Sequence, residues 1–312
     1  MQPGNRRAIL AALAANLGIA VAKFVGWAMT GAASMLAEAV HSLADSGNQA
    51  LLLWGGASAE RPATEEHPFG FARERYFWAF VVSLVIFSLG SLFAIYEGVS
   101  KLLHPHELTS PMVAVAILVA GIGMEGVSFR TAVVEATKQK KQLGWWAFIR
   151  RTKSPELPVI LLEDLGALLG LVVALVGIGL ASLTGDPRFD ALGSITIGVL
   201  LGVIAALLAT EMRSLLIGEA ATIEDREAIR QSLSQTPFVE RVIHMRTQHF
   251  GPDQLLVALK LQFETGLTTE GIADGINDAE RRIRERVPAA KLIFIEPDIY
   301  RSGEPDVGAD LP

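Results

Sequence analysis

Residues 76–96 read YFWAFVVSLVIFSLGSLFAIY and contain no Lys, Arg, Asp or Glu. A helix rising 1.5 Å per residue needs about twenty such residues to cross ~30 Å of hydrocarbon. Runs of similar length and texture lie on both sides, at Ala8–Met29, Ala33–Ala57, Met112–Val134, Pro155–Ser182 and Phe189–Thr210, and Leu165–Leu183 is also free of charge. The pattern predicts an α-helical membrane protein with six transmembrane helices over residues 1–210. A 312-residue chain that is 51% hydrophobic and only 19% charged fits that reading. The first run follows Arg6–Arg7 as a signal peptide would, but it is too long for an h-region and five more spans follow it.

The loops set the orientation. Eleven basic residues (Arg6, Arg7, Arg61, Arg73, Arg75, Lys138, Lys140, Lys141, Arg150, Arg151 and Lys153) fall on one side, against Lys101 and Arg188 on the other. Basic residues favour the cytoplasmic side, so both termini are expected there. Pro105, Pro111 and Asp186–Pro187 supply turn chemistry at the opposite ends, and Ser154-Pro-Glu reads as an N-cap opening the fifth span. Gly166/Gly170 and Gly198/Gly202 have the spacing that lets helices approach closely, although glycine is common in membrane helices in any case.

Beyond residue 210 the texture changes. IEDREAIRQSLSQ (223–235) is a short helix capped by Thr222; VERVIHMRTQHF (239–250) and QLLVALKLQFE (254–264) flank Gly251-Pro-Asp as a hairpin. TTEGIADGINDAERRIRERV (268–287) is amphipathic and ends before Pro288, and KLIFIE (291–296) is a strand. The expected organisation is a six-span domain over 1–210, a cytoplasmic α+β domain (αββαβ, ferredoxin-like) over 211–300, and a disordered tail over 301–312. Residues 1–210 carry 15 charges of each sign, and the net −6 comes from residues 211–312, so neither part invites a nucleic acid. The absence of cysteine leaves imidazole, carboxylate and carbonyl groups as the only metal ligands.

Ionisable residues inside membrane helices are costly and mark function. Here they are Lys23, Glu38, His41, Asp45, Glu125, Arg130, Glu163, Asp164 and Asp190. Arg130 and Asp190 sit near span ends, and Lys23 can neutralise a buried acid. His41 and Asp45, four residues apart, share one helix face and form a half-site for zinc or another divalent first-row ion. Glu163 and Asp164 offer the other half. Asp164 lies about 15 Å inside from Ser154, and His41 about 15 Å inside from Gly31, so antiparallel spans bring them to a common depth. Adjacent carboxylates there would take up protons unless a dication held them ionised. Protons and metal compete for such ligands, which makes proton–metal antiport a natural mechanism.

Asn16 through Lys23, Thr30–Gly31 and SMLAEAVHSLADSGNQALLLWG (34–55) together resemble the first two spans of the cation diffusion facilitator family. HPFGFARER (67–75) is similar to that family's second loop, and the tail's element order, ending at Glu296–Pro297, is similar to its cytoplasmic domain. The resemblance, over roughly residues 8–298, implies a homodimer in the lipid bilayer that exports zinc or a related ion against protons, with His41, Asp45, Glu163 and Asp164 as metal ligands. The family's second histidine position is Ile160 here, so Glu163 is expected to replace it. LLEDLGALLG (161–170), with Glu125-Gly-Val-Ser-Phe, resembles the branch that includes the mitochondrial zinc exporter of animals. The family implies a relay role for His67. His244 and His249 read as ordinary strand residues, so the tail is expected to support dimerisation more than sensing.

Rival readings are a manganese, iron or cobalt exporter of the same mechanism, an intramembrane hydrolase, and a membrane-anchored sensor. No hydrolase signature occurs in the sequence. The chain is therefore read as a transporter, not an enzyme, with no bound cofactor. No Arg/Ser-rich leader precedes the first span, so a bacterial inner membrane is expected.

Overall fold

The computed structural model describes residues 3–105, 110–140 and 143–301, with the side chains of 3–16, 85–87 and 89 left aside. Helices α1 (Pro3–Thr30) and α2 (Ala33–Ala59) form a hairpin, turned at Gly31 in the left-handed region (φ 65°). α3 (Glu74–Val81) and α4 (Phe87–Leu103) are joined through a π-helical turn, Val82–Ile86. Then come α5 (Pro111–Lys140), the short α6 (Trp145–Arg151), α7 (Glu156–Thr184) and α8 (Arg188–Ile217). The protein is thus mostly helical. Of the described helices, α5, α7 and α8 are each long and apolar enough to cross a membrane.

The apolar run 76–96 is helical but divided. The π turn widens the backbone in its middle, a feature that residue-level hydropathy does not register. The fifth span also opens differently from its expectation: Pro155 occupies the N-cap position without a side-chain hydrogen bond, so Ser154 does not cap it.

Lipid-like surroundings give apolar helices no hydrophobic reason to associate, so small residues and buried polar bonds must hold them. Both are present. A Cβ on Gly198 would lie 2.8 Å from the Ser91 carbonyl of α4, and one on Gly166 would lie 2.9 Å from Ile204 of α8. Ser91 and Ser194 donate across the same pair of helices, to Gly198 O (2.6 Å) and Ala94 O (2.8 Å). These glycines are therefore contact points. Large apolar side chains such as Leu92, Val127, Val176 and Val203 face outward, as a membrane-facing surface requires.

At one end of this unit, Lys101 and Asp190 form a fully buried ion pair at 2.8 Å. Asp190 also accepts from the backbone N–H groups of Ala33 (2.8 Å) and Ser34 (3.3 Å) and from the Ser34 hydroxyl, while Lys101 donates to Gly31 O at 2.7 Å. The carboxylate thus caps the first turn of α2, satisfying donors that a buried helix start would otherwise leave open. Asp190 is not a bland end-of-span residue, and Lys101 is not a loop charge.

The described residues cluster into two compact units. One comprises the chain up to Arg61 with Glu74–Arg213, and the other comprises Pro62–Arg73 with the chain from Ser214 on. In the second unit, α9 (Ile223–Ser234) and α10 (Thr269–Arg286) cover one face of a three-stranded sheet of order β1-β2-β3: β1 (Val239–Gly251), β2 (Gln254–Phe263) and β3 (Ala290–Pro297). β1 and β2 are antiparallel around the Pro252–Asp253 turn, and β3 runs parallel to β2. Alternate β2 residues Leu255, Val257, Leu259 and Leu261 are buried against Ile229, Leu233, Ala279 and Ile283 of the two helices. Thr222 caps α9 by accepting from Asp225 N at 3.1 Å. The loop Pro62–Arg73 packs on the hairpin of this unit: the Phe69 and Phe250 rings lie 5.3 Å apart, Arg73 stacks 4.3 Å from the Phe250 centroid, and Gln254 donates to Phe69 O at 3.1 Å. Of the expected disordered tail, residues 302–312 lie outside the described residues.

Candidate metal site

α2 carries its polar residues along one stripe, because positions three and four apart share a helix face. Glu38, His41, Ser42, Asp45, Ser46 and Asn48 are all buried. His41 Nδ1 lies 3.4 Å from Asp45 Oδ1, so the i, i+4 pair does meet. Lys23 of α1 donates to Glu38 Oε2 (3.1 Å) and to Ser42 Oγ (2.6 Å), which is the acid-neutralising role its position implies. Gly170 of α7 makes room for this pair: a Cβ there would collide with Glu38 Oε1.

α7 presents Glu163 and Asp164, both buried. Neither Glu163 oxygen makes a hydrogen bond among the described residues, although Asp45 and Asn48 lie beside it. Asp164 accepts from Ser128 Oγ of α5 at 2.9 Å. Ile160, on the preceding turn, packs with Phe148 and Leu161 in an apolar cluster. A small cavity is lined by Ser42, Asp45, Gln49, Glu125, Glu163 and Asp164.

Three of the four expected ligands, Asp45, Glu163 and Asp164, thus line one cavity. His41 sits behind Asp45 and is not part of its wall. Among the described residues, no three His, Asp or Glu side chains are arranged to hold one ion together. Such a wall attracts a cation by charge and offers oxygen donors almost exclusively, with one imidazole in reserve.

Sequence reasoning passed over Ser42, Gln49, Ser128 and the cavity position of Glu125. The signal was there: Ser42 and Gln49 flank Asp45 at −3 and +4, and Glu125 and Ser128 are three apart on α5. What the sequence lacked was the packing of α5 against α1 and α7. The other flagged histidines have local partners. The His67 ring meets Phe71 edge-on at 4.6 Å, and Arg246 donates to His244 Nε2 at 2.9 Å. His249 is buried, with Nδ1 3.2 Å from Gly251 O.

Comparison with known proteins bears on the same region. The cation efflux transmembrane domain matches residues 9–217. A mitochondrial proton-coupled zinc antiporter of Xenopus laevis is 34% identical over 249 residues, 79% of this chain and 44% of the relative. The human protein of the same name is 31% identical over 268 residues, 85% of this chain and 47% of the relative. A cation-efflux pump of Cronobacter sakazakii is 28% identical over 290 residues, covering 93% and 91% of the two chains. The chain spans about half the length of the antiporters it matches, and nearly all of the bacterial pump. A multi-pass membrane protein with this match belongs to the cation efflux family, the cation diffusion facilitators, and resembles the mitochondrial zinc antiporters of animals within it.

Proposed function

We propose that the protein is a secondary transporter that exports a divalent cation, zinc foremost, from the cytoplasm in exchange for protons. The observation that carries this reading is the shared cavity of Asp45 from α2 with Glu163 and Asp164 from α7. Carboxylates brought together out of water must be protonated or bind a cation, so one set of groups serves both ions in turn. His41, in contact with Asp45, adds the nitrogen donor that favours zinc over manganese when the two helices close on the ion. The relatives are named as proton-coupled zinc antiporters and as a cation-efflux pump, which agrees with this reading.

In this reading α1, α2, the α3–α4 pair, α5, α7 and α8 form six crossings, the basic loops and both termini are cytoplasmic, and the ferredoxin-like tail unit mediates a homodimer. The sheet face away from the helices supports the last point, because Phe294 stands 54% exposed there beside Leu256 and Leu292. Flux into proteoliposomes under an imposed pH gradient is the test. Wild type should move zinc and Asp45→Ala should not. Movement of manganese or iron alone would replace the metal, and flux in neither protein would end the transport reading.

A further inference from the structure

The connection between α5 and α7 has a composition that orientation alone does not explain. Residues 138–153 read KQKKQLGWWAFIRRTK, with six basic residues, no acid and two of the chain's five tryptophans. Positive charge at one end of a span sets topology, but it asks for no exposed indole. α6 lies within this stretch, and Phe148 fixes which way it faces: that side chain is buried with Leu161 of α7 and with Ala132 and Ala136 of α5. At about 100° per residue, the positions opposite Phe148 are Trp146 and Arg150, one turn apart. Trp146 is 58% exposed, Trp145 beside it 42%, and the Arg150 side chain 59%.

α5 and α7 are each apolar enough to cross a membrane, so the segment that joins them stands at the membrane's edge. Exposed apolar residues of α5 run as far as Val134, and the exposed Lys138 follows one turn later. Lys140 Nζ lies 5.1 Å from the Trp145 ring centroid and donates to Leu143 O at 3.0 Å, which folds the ammonium back over the indole. Two acids answer part of the charge: Glu135 pairs with Lys138 at 2.8 Å, and Glu211 with Arg150 Nε at 3.2 Å. Arg151 is exposed and forms no salt bridge among the described residues, and Lys141 lies outside them. Indoles favour the boundary between headgroups and acyl chains, and clustered Lys and Arg beside a span favour anionic headgroups. A soluble acidic partner would match the charge and leave the indoles without a reason.

We propose that α6 and its flanking basic residues form a binding surface for anionic phospholipid, with Trp145 and Trp146 at the headgroup–acyl boundary and Lys140, Arg150 and Arg151 on the phosphate. Such binding does not depend on which ion is moved, and its test reads no flux. The full chain is reconstituted in phosphatidylcholine vesicles, and its tryptophan fluorescence is titrated with brominated phosphatidylglycerol or brominated phosphatidylcholine. Trp145→Phe with Trp146→Phe, measured in parallel, separates the share of these two indoles from that of Trp27 and Trp54, which are also exposed. That share should be quenched by the anionic lipid at about tenfold lower mole fraction than by the zwitterionic one. Arg150→Gln with Arg151→Gln should remove most of the difference, since each basic residue near an anionic surface contributes about fivefold. A preference that survives in the arginine variant, equal quenching by the two lipids, or no quenching of these indoles by either overturns the proposal. Should the arginine variant fail to purify, wild type decides. About 1 M salt, which screens charges beyond ~3 Å, should abolish the preference, and a preference unmoved by salt overturns the proposal. Loss of zinc flux with the lipid preference intact sinks the transport reading alone.

Discussion

Asp45, Glu163 and Asp164 stand as near neighbours on the cavity wall, yet their surroundings differ in a way that ranks them. Asp164 is held by Ser128, whereas Glu163 has no hydrogen bond among the described residues and is the more deeply buried. A preorganised ligand loses more when it is neutralised, so Asp164→Asn should abolish zinc flux and Glu163→Gln should impair it. Unchanged transport in Glu163→Gln would remove that residue from the site. This residue-scale picture was largely legible in the sequence, because an ionisable group in an apolar helix announces itself. Lys23 was legible in the same way, as a partner for a buried acid. Glu125 was visible as an ionisable residue but not as part of the wall, since the packing of α5 against α7 depends on residues far apart in the chain.

At the scale of elements, the start of α2 depends on chemistry supplied from two other helices. Lys101 at the end of α4 and Asp190 at the start of α8 are fully buried against each other and against the turn at Gly31. Removing one partner strands the other charge, a loss of about 3–5 kcal/mol in buried pairs, whereas replacing both with apolar residues costs much less. Asp190→Leu should therefore lower the thermal unfolding temperature of the detergent-solubilised protein steeply, and Lys101→Met combined with Asp190→Leu should recover much of the loss. Equal losses in the single and double variants would show that the cap on α2, not the charge pair, carries the stabilisation. The sequence placed both residues near span ends, where solvent or headgroups supply an easy explanation, and so concealed the pair. The π turn at Val82–Ile86 was equally hidden, because an apolar run reads the same in either helix type.

Across the molecule, the two units call for different physics. The first is held by close glycine contacts and buried polar bonds, the second by an ordinary apolar core with a charged exterior. In the second unit the Arg282 and Arg281 guanidinium groups hold the Asp278 carboxyl below the usual carboxylate range, and Lys260 does the same for Asp298. A carboxyl depressed in the folded state contributes stability above its unfolded value and loses it as pH falls through the folded one. Amide hydrogen exchange in α10 should accordingly quicken as pH is lowered below about 4, after correction for intrinsic rates. Exchange that stays constant to pH 3 would mean that these exposed pairs contribute nothing. The helix–hairpin–helix–strand order of this unit followed from caps, turns and alternation, all of them local signals. That a loop from between two apolar helices folds as part of it did not, because a stacked Phe69 and Phe250 leave no mark on the periodicity of either segment.

That loop has a bearing on how the protein can be cut. Residues 62–73 enter and leave through α2 and α3, but Phe250 and Gln254 give their side chains and backbone a surface to rest on. A truncation after residue 213 would not simply yield a bundle minus an appendage. It would also leave an aromatic and a guanidinium bare on the tether between the helix that bears Asp45 and its successor, so a shortened protein that fails to transport would not by itself prove that the missing part binds anything.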